Sequence, residues 1–247
     1  MISLCLQCCP YDYVQACELA LLICDLEKEK RAGTEFFLVY RKDTPLQVHK
    51  YFEAITKEKF ERGIARPARN FDDGWPGGSN MLAFSAMLEI SVLQREGLCH
   101  NDAFLLFEAD CVPLAADWID QLAREWETVK AQGKEAFGHW HQQGGPDTLH
   151  MNGNAVFRAD FLDKHPTWIV GPATQGWDYW FREQFIPVSC DSNLIFQHYN
   201  RHGITMEQLQ AIEKNGVRPA LFHGVKTPDG RKLVREWLLQ GSCAKVV

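Results

Sequence analysis

The chain has 247 residues, of which 46% are hydrophobic and 23% are charged, and its formal net charge at pH 7 is −6. This composition is typical of a globular protein with enough apolar residues for a sizeable core, and it excludes a disordered or fibrous chain. The negative balance also excludes a globally basic surface of the kind that binds nucleic acids or anionic membranes, although a local basic groove is compatible with it.

Apolar runs and helical periodicities alternate along the first half of the sequence. Short apolar runs predict strands, and apolar residues at helical spacing predict helices. In chain order the predicted elements are a strand at 2–9, a helix at 13–29, a strand at 35–40, helices at 50–64 and 80–96, a strand at 104–107 and a helix at 118–131. This order predicts an α/β fold, a single domain with a mostly parallel sheet flanked by helices. Such sheets bind ligands at the carboxyl ends of their strands.

Nine cysteines, an odd number, are spread over the chain. The N-terminus lacks the basic and long apolar regions of a secretion signal, and no apolar run is long enough to cross a bilayer. These features predict reduced thiols in a cytoplasmic protein. Cys5 and Cys8 form a C-x-x-C pair, which we interpret as packed core thiols, since a zinc site needs a second pair and a redox pair opens a helix.

Two acidic residues, Glu108 and Asp110, follow the apolar run FLLF, and Pro113 ends the strand soon afterwards. Residues two apart at a strand end point the same way, so the two carboxylates can converge. Carboxylates in close approach repel each other unless a cation lies between them or one stays protonated. The pair therefore fits a hard divalent cation such as Mg²⁺ or Mn²⁺. The alternative is two solvated acids in a loop, with Asp117 capping the next helix.

Near the C-terminus, the segment ALFHGVKTPDGR contains His223 directly after a short apolar run, followed by Gly224 and Lys226. An imidazole can ligate Mn²⁺, a glycine lets the backbone approach closely, and a lysine can neutralise phosphate. Taken alone, His223 is more simply a histidine at a strand end. Combined with an acidic strand end, it favours a metal site.

Several segments in order along the chain resemble those of GT-A fold glycosyltransferases, which use nucleotide sugars as donors. They are the first strand and helix, FEADCVP, the glycine-bearing strand MNGNAVF, the acidic GWDYWF and the terminal FHGVK. The resemblance covers residues 2–235 and depends on the order of short motifs. It departs from the D-x-D-type pattern at Glu108, where the family has Asp. It implies one GT-A-like domain, 1–247, with a nucleotide-binding half at 1–117 and a half for sugar and acceptor at 118–247.

The resemblance implies that Asp110 and His223 hold a divalent metal ion, Mn²⁺ or Mg²⁺. Lys226 would reach the diphosphate of the donor, a UDP-sugar or another nucleoside diphosphate sugar. Glu108 would contact the ribose or a metal-bound water. The chemistry that such an ion supplies is stabilisation of the charge on the departing nucleoside diphosphate.

Further donor contacts that the resemblance implies lie at strand ends and at a glycine turn. Pro10, Arg41 and Asp43 would surround the nucleobase and ribose. Gly77 and Asn80 belong to a turn that opens a helix and would present backbone N–H groups to phosphate or ribose. The alternative for this turn is an ordinary helix start.

Asn152, Gly153 and Asn154 precede the apolar run AVF and, by resemblance, line the donor sugar. Amide side chains suit the recognition of hydroxyl groups. The alternative is a turn, because Asn-Gly is a strong turn signal, and both interpretations are compatible with each other.

Asp178 in the segment GWDYWF is the predicted catalytic base. Inverting enzymes of the resembling family have an acid at a helix start beyond the sugar-binding strand, where it takes the proton of the acceptor hydroxyl. Two alternatives are a helix N-cap and, in a retaining enzyme, a contact to a sugar hydroxyl. Trp75 and Trp177 are the predicted acceptor contacts, because indole rings stack on sugars and nucleobases.

The motif combination looks most like small bacteriophage-type glycosyltransferases, some of which decorate hydroxymethylated pyrimidines in phage DNA. Modified duplex DNA is therefore one predicted acceptor, with Arg62, Arg66 and Arg69 as a basic strip. A saccharide or lipid-linked glycan is the competing acceptor.

Two rival functions are a non-catalytic sugar-nucleotide-binding module and a metal-dependent nucleotidyltransferase. The segment CCPYDY lacks the glycine-rich basic loop that the nucleotidyltransferase class favours after its first strand. The sequence does not fix the sugar, the nucleoside, the stereochemistry or the oligomeric state.

Overall fold

A seven-stranded sheet forms the centre of the structure, a computed structural model that describes residues 1–69, 73–142, 148–169, 174–197, 204–214 and 218–243. The strands are β1 (Ser3–Cys8), β2 (Arg31–Tyr40), β3 (Phe60–Pro67), β4 (Ala103–Glu108), β5 (Cys111–Pro113), β6 (Ala136–Gln142), β7 (Leu149–Arg158), β8 (Ser189–Asp191), β9 (Ile195–Gln197) and β10 (Leu221–His223). The central order is β3-β2-β1-β4-β7-β6-β8, in which only β7 runs antiparallel to its neighbours. The predicted α/β class is confirmed. The division of the chain at 117 stays a prediction.

Helices cover both faces of this sheet. They are α1 (Tyr13–Leu26), α2 (Gln47–Thr56), α3 (Ser79–Arg95), α4 (Trp118–Ala131), α5 (Phe161–Lys164), α6 (Trp177–Trp180), α7 (Arg182–Val188), α8 (Met206–Lys214) and α9 (Pro228–Cys243). Helices α1, α2 and α4 pack on one face, and α3 with α5 to α7 packs on the other. None of the described helices is long and apolar enough to cross a membrane.

The two faces are apolar because the central strands are buried on both sides. In β1, Leu4 and Leu6 face the α1 layer while Cys5 faces the α3 layer. Cys8 lies in the α1 layer, so the two thiols of the C-x-x-C pair are buried on opposite sides of the sheet. Their interpretation as packed core thiols is confirmed.

The predicted helix at 50–64 is wrong in its second half. Helix α2 ends at Thr56, and β3 follows as the edge strand from Phe60. Most of β3 is only half-buried, so its charged residues and scattered apolar ones resemble an amphipathic helix. The chain returns tightly against α2: a Cβ at Gly63 would lie 1.8 Å from Oγ1 of Thr56. Only glycine fits this approach.

Strand register brings distant residues to the carboxyl edge of the sheet. Gln7 at the end of β1 lies beside Glu108 at the end of β4. A separate three-stranded sheet, in the order β5-β10-β9, extends from this edge. In it His223 pairs with Cys111 on one side and with Gln197 on the other. The end of β10 is therefore held next to the acidic end of β4.

Candidate metal and ligand site

Three side chains meet at the carboxyl edge of the central sheet. Nε2 of His223 lies 3.1 Å from Oε2 of Glu108 and 3.0 Å from Oδ1 of Asp110. One potential ligand atom from each residue lies within 4.8 Å of the other two. The predicted convergence of the two acids with His223 is therefore present in the structure.

Backbone contacts fix this convergence independently of the side chains. The carbonyl oxygen of Asp110 accepts hydrogen bonds from the N–H groups of Gly224, at 3.1 Å, and Val225, at 2.9 Å. Gly224 has a φ of 107°, in the left-handed region where a side chain would be strained. The glycine after His223 thus allows the chain to turn over Asp110. Lys226 follows, and its Nζ lies 3.5 Å from Oδ2 of Asp110.

The electrostatics of the trio favour a positive charge at this point. Burial lowers the pKa of His223, but the carboxylates of Asp110 and Glu108 outweigh burial and raise that pKa to about 10. Burial raises the pKa of Asp110, and His223 and Lys226 outweigh it and hold that pKa below its usual range. A positive charge at this point is therefore strongly stabilised.

The hydrogen-bond geometry fits a metal ion as that charge. Oδ1 of Asp110 and Nε2 of His223 are buried, and neither has a hydrogen-bond partner among the described residues despite their short separation. One imidazole nitrogen and carboxylate oxygens form a donor set suited to Mn²⁺, and carboxylate oxygens also suit Mg²⁺. Glu108, 43% exposed at its side chain, leaves one side of the trio open to the cleft.

Gln197 is a site residue that no sequence pattern pointed to. Its Oε1 contacts Nδ1 of His223 across the β9–β10 pair. An amide oxygen accepts a hydrogen bond from Nδ1–H, so Nε2 is the ring nitrogen that faces the acidic residues and can ligate a metal ion once it has lost its proton. Gln197 thus fixes the orientation of the imidazole.

Replacing Gln197 with alanine should weaken Mn²⁺ binding by about 10- to 100-fold, because the imidazole loses the partner that fixes its tautomer. Titration calorimetry with MnCl₂ measures this affinity. Gln121→Ala is the matched control, since Gln121 bonds to Asp117 on the exposed face of α4. Equal Mn²⁺ affinity in the Gln197 variant and the wild type would show that Gln197 does not orient a metal ligand.

The trio lies in a cleft of about 510 Å³ that adjoins a smaller pocket of about 230 Å³. Gln7, Asp12, Trp75, Ser79 and Glu108 line both, so the two form one continuous hollow. Three of these residues, Gln7, Asp12 and Ser79, were not predicted as site residues, and Asp12 is the most notable. Its burial raises the pKa of its carboxyl group, with Glu108 and Asp110 acting in the same direction.

Asp178 enters the larger cleft from the first turn of α6. The N-cap of α6 is Gly176, so the interpretation of Asp178 as the N-cap is wrong. Its Oδ2 accepts a hydrogen bond from the N–H of Gly153, at 3.2 Å, and its Oδ1 accepts one from Tyr179, at 2.9 Å. Burial raises the pKa of Asp178, which makes its carboxylate a stronger base.

The segment MNGNAVF is continuous strand, so the predicted Asn-Gly turn is wrong. Oδ1 of Asn152 accepts from the backbone N–H of Asn154, at 2.8 Å, and from its side chain, at 2.9 Å. Oδ1 of Asn154 in turn accepts from the N–H of Glu108, at 2.8 Å. A Cβ at Gly153 would make a tight contact of 3.1 Å with the Trp177 ring. All of these residues line the larger cleft.

Asn80, in the first turn of α3, ties that helix to the segment before α6. Its Nδ2 donates to the carbonyl of Gln175, at 2.9 Å, and its Oδ1 accepts from the N–H of Trp177, also at 2.9 Å. The predicted helix is present and begins at Ser79, but the glycine segment before it, Gly74–Gly78, is a short π-helical segment and not an open turn. Gly77 itself lies outside the described walls of the cleft, whereas Gly78 lines the smaller pocket.

Arg41 lines the smaller pocket and is held by acids. Its guanidinium contacts Asp43 at 2.6 Å and Asp73 at 2.5 Å, and it lies 5.4 Å from the ring centre of Tyr11. Asp73 and Tyr11, which the sequence did not single out, also line this pocket. Asp43 forms an ion pair with Arg41. Neither Asp43 nor Pro10 is among the described residues that line the two cavities.

The tryptophans differ in exposure. Trp75 is 76% exposed and lines both parts of the hollow. Trp177 is only 7% exposed and packs against Phe84 and Phe157 in the core. Trp180, not predicted as a contact, is 47% exposed. Of the two predicted acceptor contacts, Trp75 alone is freely accessible.

The three arginines of the predicted basic strip are engaged within the protein. Arg66 pairs with Glu96 at 2.7 Å, and Arg69 pairs with Glu89 at 2.6 Å. Arg62 donates to the carbonyl of Gly97. Partnering acids cancel the field of two of these guanidinium groups, so they do not form a strip of unopposed positive charge.

Comparisons with known proteins identify the fold. No protein-family model matches the sequence, and no curated protein matches it. An active-site mutant of the galactosyltransferase LgtC superposes with a TM-score of 0.57 at 11% identity over 100% of this chain and 97% of that chain. Mouse xyloside xylosyltransferase 1 gives 0.55 at 10% identity over 92% of this chain and 99% of its own. A glycosyltransferase involved in glycosylation of the major capsid of PBCV-1 gives 0.50 at 10% identity over 97% and 100%. The chain therefore has the GT-A fold that these glycosyltransferases share.

Proposed function

We propose that this protein is a metal-dependent glycosyltransferase that moves a sugar from a nucleoside diphosphate sugar to an acceptor hydroxyl. The observation that carries the proposal is the convergence of Glu108, Asp110 and His223 at the carboxyl edge of a GT-A sheet. Such edges are where α/β sheets bind ligands, and the trio opens into a cleft large enough for a sugar nucleotide.

Each of the charged residues has a distinct task in this proposal. Asp110 and His223 would hold the divalent cation, and Glu108 would complete the site from its more exposed position. Lys226, 60% exposed at its side chain, can swing from Asp110 toward the diphosphate. When bound, the cation supplies Lewis-acid stabilisation of the departing nucleoside diphosphate.

Asp178 is the proposed base. The acceptor oxygen attacks the anomeric carbon and forms the new glycosidic bond. The bond from that carbon to the diphosphate oxygen breaks, and its electron pair leaves with the nucleoside diphosphate. Asp178 takes the hydroxyl proton, and the N–H groups of Gly153 and Tyr179 hold its carboxylate in place.

The remaining contacts divide between the two parts of the hollow. The smaller pocket suits the nucleoside: the Tyr11 ring can stack on a base, with Arg41 and Asp73 at its edge. In the larger cleft, Asn152 and Asn154 suit the hydroxyl groups of the donor sugar. No feature of the described residues favours modified duplex DNA as the acceptor, since the arginines proposed for it are paired or bonded internally.

Thermal unfolding against UDP-, GDP- and CDP-sugars, each with and without Mn²⁺, tests the proposal. A donor at about 100 times its Kd should stabilise the fold by about 2.7 kcal/mol, which raises Tm by roughly 5–10 °C in a chain of this size. The same donor should then release its nucleoside diphosphate when the protein turns over. If no donor changes Tm, the proposed activity is wrong, and if a donor binds without release, the chain is a sugar-nucleotide-binding module.

A further inference from the structure

A second hollow lies beside the cleft, outside the residues assigned above. Its volume is about 450 Å³, and it is lined by Gln175, Tyr179, Trp180, Arg182, Glu183 and Gln184. We call it the α6–α7 hollow, because its residues come from helices α6 and α7 and the segment just before α6. None of these residues contributes to the metal trio or to the described walls of the cleft.

The α6–α7 hollow and the cleft share one short stretch of chain. Gly176, Trp177 and Asp178 line the cleft, while Gln175 immediately before them and Tyr179 immediately after them line the hollow. Asn80 holds this stretch from α3 through its bonds to Gln175 and Trp177. Asp178 and two residues of the α6–α7 hollow, Tyr179 and Trp180, therefore belong to the same short helix.

The lining of this hollow combines a preorganised aromatic surface with hydrogen-bonding groups. Arg182 lies 4.5 Å from the ring centre of Tyr179 and donates to the carbonyl of Tyr179 at 3.2 Å. This cation–π contact orders both side chains. Next to them, Trp180 is 47% exposed, although an indole of this size is usually more buried.

The charge of the lining discriminates between ligand classes. Arg182 and Glu183 lie 3.9 Å apart and carry opposite charges, and Gln175 and Gln184 are neutral amides. Because these charges balance, the lining exerts no net attraction on a polyanion such as DNA, which binds through unopposed positive charge. Aromatic faces with amide donors and acceptors instead suit a neutral ring that has an apolar face and hydroxyl edges.

We propose that the α6–α7 hollow binds a neutral pyranose unit of an oligosaccharide acceptor, with Trp180 as its stacking platform. The role as an acceptor subsite rests on the proposed glycosyltransferase activity, whereas binding of the sugar does not. An oligosaccharide long enough to pass over α6 would connect a unit held here with a reacting hydroxyl near Asp178.

Indole N–H signals in NMR spectra of the ¹⁵N-labelled protein test this directly. The probes are maltotriose, cellotriose, chitotriose and lactose at millimolar concentration, with a ten-base-pair DNA duplex as the anionic comparison. At least one saccharide should shift the Trp180 signal, and DNA should not. Trp180→Ala lacks this reporting signal, so titration calorimetry with that saccharide measures its affinity, which should fall about 10-fold. Ile186→Ala is the matched control, since Ile186 is exposed on α7 but does not line the hollow.

The outcomes separate this inference from the proposed function. If a nucleotide sugar binds with Mn²⁺ but no saccharide shifts Trp180, the acceptor subsite is wrong and the proposed function stands. If a saccharide binds at Trp180 but no donor binds, the hollow is a carbohydrate site and the transferase proposal falls. A shift caused only by DNA, or saccharide binding that Trp180→Ala leaves unchanged, would overturn the inference.

Discussion

Replacing Asp110 with asparagine should abolish Mn²⁺-dependent binding of a sugar nucleotide. An amide is a neutral and weaker ligand than a carboxylate, so we expect the Mn²⁺ affinity to fall by at least about 100-fold, more than for loss of an outer partner. Transfer should fall by about 10²- to 10³-fold, the usual cost of losing one stabilising group for a developing negative charge. Titration calorimetry with MnCl₂ and initial rates with excess donor measure the two effects.

The Asp110→Asn variant should still fold, which makes the test informative. Asparagine has nearly the same shape, and the backbone bonds from Gly224 and Val225 to the carbonyl of residue 110 do not involve the side chain. Asp117→Asn is the control, because Asp117 is 59% exposed at its side chain and lies at the start of α4. Unchanged Mn²⁺ affinity in the Asp110 variant, with the control also unchanged, would remove the basis of the metal site.

Sequence patterns predicted the central strands because these strands are buried on both faces. A continuous apolar run such as FLLF that is followed by acids and a proline fits few secondary structures other than a buried strand. Strand β3 was missed because it is an edge strand with half-buried residues, and its spacing of charges mimics a helix face. Its strand conformation depends on pairing with β2 and on the close passage of Gly63 beside Thr56, which local propensity does not encode.

Residue type and order were enough to predict that Glu108, Asp110 and His223 meet. Two acids and a histidine at strand ends share few purely structural roles that would explain their presence. Gln197 had no such signal, since its importance comes from the lateral pairing of two three-residue strands. The tryptophans show the same limit. Trp177 and Trp180 are three residues apart, and only the packing of α6 decides that the first is buried and the second exposed.

Replacing Asp178 with asparagine should separate binding from chemistry. The variant loses the proton acceptor, so kcat should fall by about 10²- to 10⁴-fold, the usual contribution of a positioned general base. Donor affinity should stay within about 2-fold, because neither the metal trio nor the smaller pocket includes this residue. Asp163→Asn is the control, since Asp163 is exposed on α5 and pairs only with Arg95 in the described salt bridges.

The pH profile of the wild type identifies the role of Asp178 more sharply than the loss of rate. Burial raises the pKa of this carboxyl group, and a base must be ionised to accept a proton. Activity should therefore rise with pH through a pKa above the usual carboxyl range and be lost below it, and Asp178→Asn should lack this acid limb. If the variant instead keeps its kcat and its acid limb but shows a higher KM, Asp178 binds a sugar hydroxyl. The N–H groups of Gly153 and Tyr179 would then hold a recognition group for the sugar, and the base would have to be sought elsewhere in the cleft.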